Sequence, residues 1–110
     1  MDSREDIMKR DWHPDFINKM QNRIEVSHHK YGWCSKTYPE LAQAYKCIKD
    51  RLDEYVKTGN TGYLIDVANF AMIEFYHPAI KGAKFEATDS DKSIGLAGGI
   101  SYKELMEGEH

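Results

Sequence analysis

The chain has 110 residues, 41% of them hydrophobic and 30% charged, with a formal net charge of -3 at neutral pH. That length admits one domain with one modest core, and the acidic balance disfavours broad electrostatic binding to nucleic acid. Two cysteines, Cys34 and Cys47, make neither a disulfide framework nor a complete zinc set.

The cysteines therefore read as reduced thiols in a cytoplasmic protein. No apolar run precedes Arg4 and Glu5, so no secretory signal peptide is expected. Residues 1–13 form an N-terminal arm, charged up to Arg10 apart from Ile7 and Met8. The arm reads as a short helical turn or a frayed end.

The first main helix is expected over about 14–31. Pro14 suits a first helical position, and Gly32 suits a C-terminal cap. Ile17, Met20, Ile24, His28 and Tyr31 recur at helical spacing. His28 has two readings: a half-buried imidazole bonded to a carbonyl or carboxylate, or a catalytic base or metal ligand. Glu25 and His28 have the Glu-x-x-His spacing of metal-binding bundles. The helix then runs out through His28-His29-Lys30-Tyr31-Gly32-Trp33. Those cations and rings suit a phosphate and a stacked base, or they plug the end of a bundle and complement the helix C-terminus.

A second helix is expected over about 38–57. Thr37 and Glu40 have capping-box spacing, with Pro39 in the first turn. Leu41, Ala44, Tyr45, Ile48, Leu52, Tyr55 and Val56 form its stripe, and a mixed charge run decorates the other side. Arg51 flanks the stripe. It can reach an acid on the next helix, either as a structural pair or as a substrate contact.

Thr58-Gly59-Asn60 reads as a break, and His77-Pro78 as a stop. The third helix between them, about 61–76, is apolar nearly all round, so it should be central. It is too short and too polar within to span a membrane. Asp66, Asn69 and Glu74 fall within a sector of roughly 140° on it. Buried polar groups require partners. Carboxylate and amide on one face suit Mg2+, or a hydrogen-bonded network that sets helix packing. The fold class is therefore all-α: a small antiparallel bundle of three main helices spanning 14–78. Residues 79–110 read as an extended Gly-rich arm, with Phe85, Ile94 and Leu96 as anchors, and a short terminal helix from Ser101 to Glu107.

The segments HHKYGW, RLDEYVKTGN and YLIDVANFAMIEF together resemble small bacterial and phage-encoded proteins near the MazG-like nucleoside triphosphate pyrophosphohydrolases, including phage dATP/dGTP diphosphohydrolase-like proteins. The likeness covers about residues 14–78. It implies Mg2+-dependent cleavage of a nucleotide phosphoanhydride by a homo-oligomer. In that reading Asp66, Glu25 and Glu74 hold the metal and His28 assists Asp66 in catalysis. Lys30, Trp33, Asn69 and Arg51 contact the nucleotide. Two positions depart from the family pattern: Gln43 follows Glu40 where a second Glu is usual, and Tyr63 stands where an acid should precede Asp66. The alternative is a non-enzymatic oligomeric helical protein, an accessory of a phage or mobile element, with the apolar third helix buried against a second copy. Nucleic-acid binding through His28, His29, Lys30 and Trp33 is disfavoured by the overall acidity.

Overall fold

The computed structural model describes residues 1–88. Among them the chain is all-helical, with five helices: α1 Arg4–Asp11, α2 Pro14–Tyr31, α3 Cys34–Thr37, α4 Ala44–Thr58 and α5 Gly62–Tyr76. The first and third expected helices match α2 and α5, and the second matches most of α4. The expected helix from Ser101 to Glu107, and the anchors Ile94 and Leu96, lie outside the described residues.

The N-terminal arm is a capped helix. The Asp6 N–H donates to Ser3 Oγ at 3.1 Å, and the Ser3 N–H donates to Asp6 Oδ2 at 3.4 Å. This is a capping box in which the shorter Asp replaces the usual Glu or Gln. α1 buries none of its residues. Pro14 opens α2 at its first turn, and Gly32 closes it at φ 82°, its N–H donating to the His28 carbonyl at 2.7 Å. A left-handed glycine likewise ends α4: Gly59, at φ 68°, donates its N–H to the Tyr55 carbonyl. Asn60 then turns the chain into α5, its Oδ1 accepting from the Gly62 N–H at 2.9 Å.

The second main helix starts later than expected, at Ala44 rather than 38. Thr37 does not cap it; its hydroxyl faces back to the Trp33 carbonyl at 3.5 Å, at the end of the single-turn α3. The Thr37 carbonyl then accepts from the N–H groups of both Leu41 and Ala42, closing a turn over residues 38–41 that contains a cis Tyr38–Pro39 bond. The acceptor at the N-terminus of α4 comes instead from a distant residue. Glu74 Oε1 accepts the Tyr45 N–H at 3.0 Å, and its Oε2 accepts the Ala79 N–H at 2.7 Å. A carboxylate is well placed there, because the first turn of a helix presents unpaired N–H groups.

α5 packs against both α4 and α2. The cross-links run in opposite chain order, Tyr45 to Glu74 and Arg51 to Asp66 on one side, Met20 to Asn69 and Arg23 to Asp66 on the other. Both neighbours are thus antiparallel to α5, as short connections favour. The buried side chains among the described residues are Ala44, Ile65, Asn69 and Ile73. Three of these recur every fourth residue on α5, a single stripe with an amide at its midpoint.

Glu74 therefore ties α4, α5 and the chain beyond Pro78 together. Glu74→Ala should cost about 2 kcal/mol of unfolding free energy, the loss expected for two hydrogen bonds to one charged group. Glu74→Gln, which keeps one acceptor, should cost less. Urea unfolding of the three proteins measures both.

A cationic cavity between three helices

Where α2, α4 and α5 meet, a cavity of about 300 Å³ opens beside the loop that carries α3. Its polar wall is built from helical repeats. Arg23, Ser27 and Lys30 stand on one face of α2, spaced by four and three residues. Cys47 and Arg51, four apart, come from α4. Asp66, Asn69, Phe70 and Ile73 line it from α5. Tyr38 and Cys34 supply the loop side.

Asp66 is the centre of this wall. Its carboxylate is 16% exposed and sits between two guanidinium groups. Arg23 Nε donates to Oδ1 at 3.2 Å, and Arg51 Nε lies 3.5 Å from Oδ2. The Arg51 guanidinium also stacks over the Phe70 ring, 5.5 Å from its centroid, a favourable placement for a planar cation. Tyr38 meets the same ring edge-on at 6.5 Å. With Lys30, three cations face one carboxylate across the cavity, in a chain whose overall charge is negative. The local excess of positive charge suits an anion.

One turn beyond Asp66 lies Asn69, 6% exposed. Its Nδ2 donates to the Met20 carbonyl at 3.0 Å. A carbonyl only accepts, so this bond fixes which end of the amide is which. Oδ1, closed to solvent, has no hydrogen-bond partner among the described residues.

Four of the sequence candidates thus share one cavity: Lys30, Arg51, Asp66 and Asn69. The other four lie elsewhere. Glu25 is exposed on α2. His28 is half-buried and packs on Trp33, ring centroids 4.4 Å apart, while Trp33 is otherwise exposed. Glu74 is committed to backbone N–H groups at the other end of α5. Arg23 and Tyr38 went unrecognised in the sequence. The spacing of Arg23, Ser27 and Lys30 is a legible signal for the first, but Tyr38 reaches the site through the turn around Pro39, which helical periodicity does not reveal.

The carboxylates do not assemble the Mg2+-binding group that the resemblance implies. Both oxygens of Asp66 face arginines, and both oxygens of Glu74 accept backbone N–H bonds. Glu25 does not line the cavity. Among the described residues no three His, Cys, Asp or Glu side chains gather to hold a metal ion. Magnesium needs free oxygen ligands in near-octahedral array, and this donor set does not fit it. No protein-family model, curated protein or solved structure was found to match the chain.

Burial pushes the Tyr38 phenol above its ordinary range, and the thiols of Cys47 and Cys34 add to the rise when ionised, against the opposing charge of Arg51. A folded-state value raised above the unfolded one contributes stability that is intact below pH about 10 and lost as pH rises through the folded value. Tyrosinate absorbance should therefore show a component that ionises after the ordinary tyrosines. Tyr38→Phe should remove that component.

Proposed function

We propose that this protein binds a small phosphate-bearing ligand, of the nucleotide class, in the cavity between α2, α4 and α5. The observation that carries the reading is the pair of arginines, from two different helices, that share the single carboxylate of Asp66 inside a cavity. Each guanidinium keeps further N–H donors beyond its contact with Asp66, in the forked geometry that suits phosphate oxygens. Lys30 adds a third cation from the same face of α2 as Arg23. In this reading Asp66 is a positioning residue: it holds Arg23 and Arg51 across the cavity so that an incoming anion meets two prearranged forks. The cavity volume is at the low end for small-molecule sites, which suits a monophosphate better than a large cofactor.

Hydrolysis is a separate matter. Metal-assisted attack needs free carboxylate oxygens, and those of Asp66 and Glu74 are already engaged. Binding without turnover is the expectation.

Calorimetric titration with inorganic phosphate and a panel of nucleoside monophosphates and triphosphates, in EDTA and in Mg2+, tests the reading. Binding should occur in EDTA and weaken with added salt. Arg51→Gln and Arg23→Gln should each lower affinity by about tenfold, the scale of one charge-assisted hydrogen bond. Affinity unchanged in both variants, with folding retained, would sink the proposal. Mg2+-dependent release of phosphate or pyrophosphate from any triphosphate would restore the hydrolytic alternative.

A second reading, assembly of identical chains, is favoured by the thinness of the core. Only Ala44, Ile65 and Ile73 among the described apolar residues are buried, while Leu52 and Val56 of α4 and Met72, Phe75 and Tyr76 of α5 remain exposed. Isologous burial of these faces would complete a core that one copy leaves shallow. Sedimentation equilibrium should return a multiple of the monomer mass, reduced to the monomer by Val56→Glu or Phe75→Glu. A monomer for the unaltered protein would refute this reading.

A further inference from the structure

One buried acceptor in the cavity wall has no hydrogen-bond donor among the described residues. Asn69 stands in the middle of the buried stripe of α5, between Ile65 and Ile73. An amide there, rather than a third aliphatic residue, leaves a sealed acceptor without a partner among the described residues. Buried polar atoms seldom stay unpaired, because nothing offsets the water they have lost. The amide cannot turn over to relieve this, since Nδ2 is held by the Met20 carbonyl at 3.0 Å. Solvent does not relieve it either, because Oδ1 is closed to water. Among the described residues no group supplies that donor, and a molecule occupying the cavity that Asn69 lines is a source of one.

Geometry limits what that donor is. Asp66, the anchor of the two arginines, precedes Asn69 by three residues on one helix face, an axial rise of about 4.5 Å. A ligand engaging both points would then carry its donor roughly one helical turn, about 5 Å, from its anionic group. A base amine lies too far from a 5′-phosphate for that spacing, whereas a hydroxyl of the attached sugar lies within it. Arg23 and Arg51, on the same cavity wall, are 58% and 38% exposed, so their outer N–H groups are open to a phosphate while each Nε stays on Asp66.

We infer that Asn69 Oδ1 accepts a hydrogen bond from a sugar hydroxyl of a phosphorylated ligand, which makes Asn69 the residue that distinguishes a sugar phosphate from a bare anion. The inference rests on the phosphate-binding reading above. Its consequence is discrimination against ligands that lack the hydroxyl, because an unpaired acceptor in the bound state penalises the analogue.

The test compares three probes: thymidine 5′-monophosphate, its 3′-deoxy analogue, and inorganic phosphate. The unaltered protein should bind the hydroxylated nucleotide about tenfold more tightly than the 3′-deoxy analogue. In Asn69→Leu the two nucleotides should bind within about twofold of each other. Equal binding of the two nucleotides by the unaltered protein would overturn the inference while leaving the phosphate site standing. Persistence of the tenfold gap in folded Asn69→Leu would also overturn it. If none of the three probes binds, the phosphate reading falls and this inference falls with it. Should Asn69→Leu fail to fold, the comparison of nucleotides on the unaltered protein decides alone.

Discussion

The arrangement depends on one constraint: three polar side chains on the most apolar helix must each find a partner. Asp66 takes arginines from α2 and α4. Asn69 takes a backbone carbonyl of α2. Glu74 takes the N-terminus of α4 and the chain after Pro78. Apolar contact alone would tolerate sliding of one helix along another, because hydrophobic burial is not directional. These bonds are directional, so they set the register of both neighbours against α5. The same register places Arg23 opposite Arg51, and the cavity between them is a by-product of how the helices are held.

The three polar groups serve different ends. Glu74 is fully occupied by backbone donors, and its role is structural. Asp66 is half structural: its contacts join the helices, and they also hold two forked cations beside an open volume. Asn69 is only partly satisfied. A gradient of satisfaction therefore runs along α5, from the closed end at Glu74 to the cavity at Asp66 and Asn69. Functional chemistry is usually found where local satisfaction is incomplete, and here that points to the Asp66 end.

The same commitments argue against the metal-dependent chemistry expected from the sequence. A carboxylate flanked by two guanidinium groups presents positive charge to the cavity, whereas a metal site presents negative charge. Cationic side chains and a divalent cation compete for the same oxygens. Among the described residues, no helix is long and apolar enough to cross a membrane, in keeping with the short and interrupted apolar run of α5.

Much of the architecture was legible in the residues themselves. Pro14, Gly32, Gly59 and Pro78 punctuate the helices through backbone stereochemistry, which is local and independent of the rest of the fold. The centrality of α5 followed from its composition, and the presence of polar groups within it was plain. Their partners were not, because a partner is a fact about distance in space. Glu74 looked like a metal ligand and is a cap; Thr37 and Pro39 looked like a helix start and make a turn instead. Arg23 has the spacing of a face with Lys30, yet only the docking of α2 against α5 brings it to Asp66. Sequence alone determined the three main helices, most of their ends and the charge-bearing groups of the central one, since these depend on neighbours a few residues apart. Tertiary structure decided which charges meet and which acceptor is left over, since that depends on antiparallel packing of three separate segments.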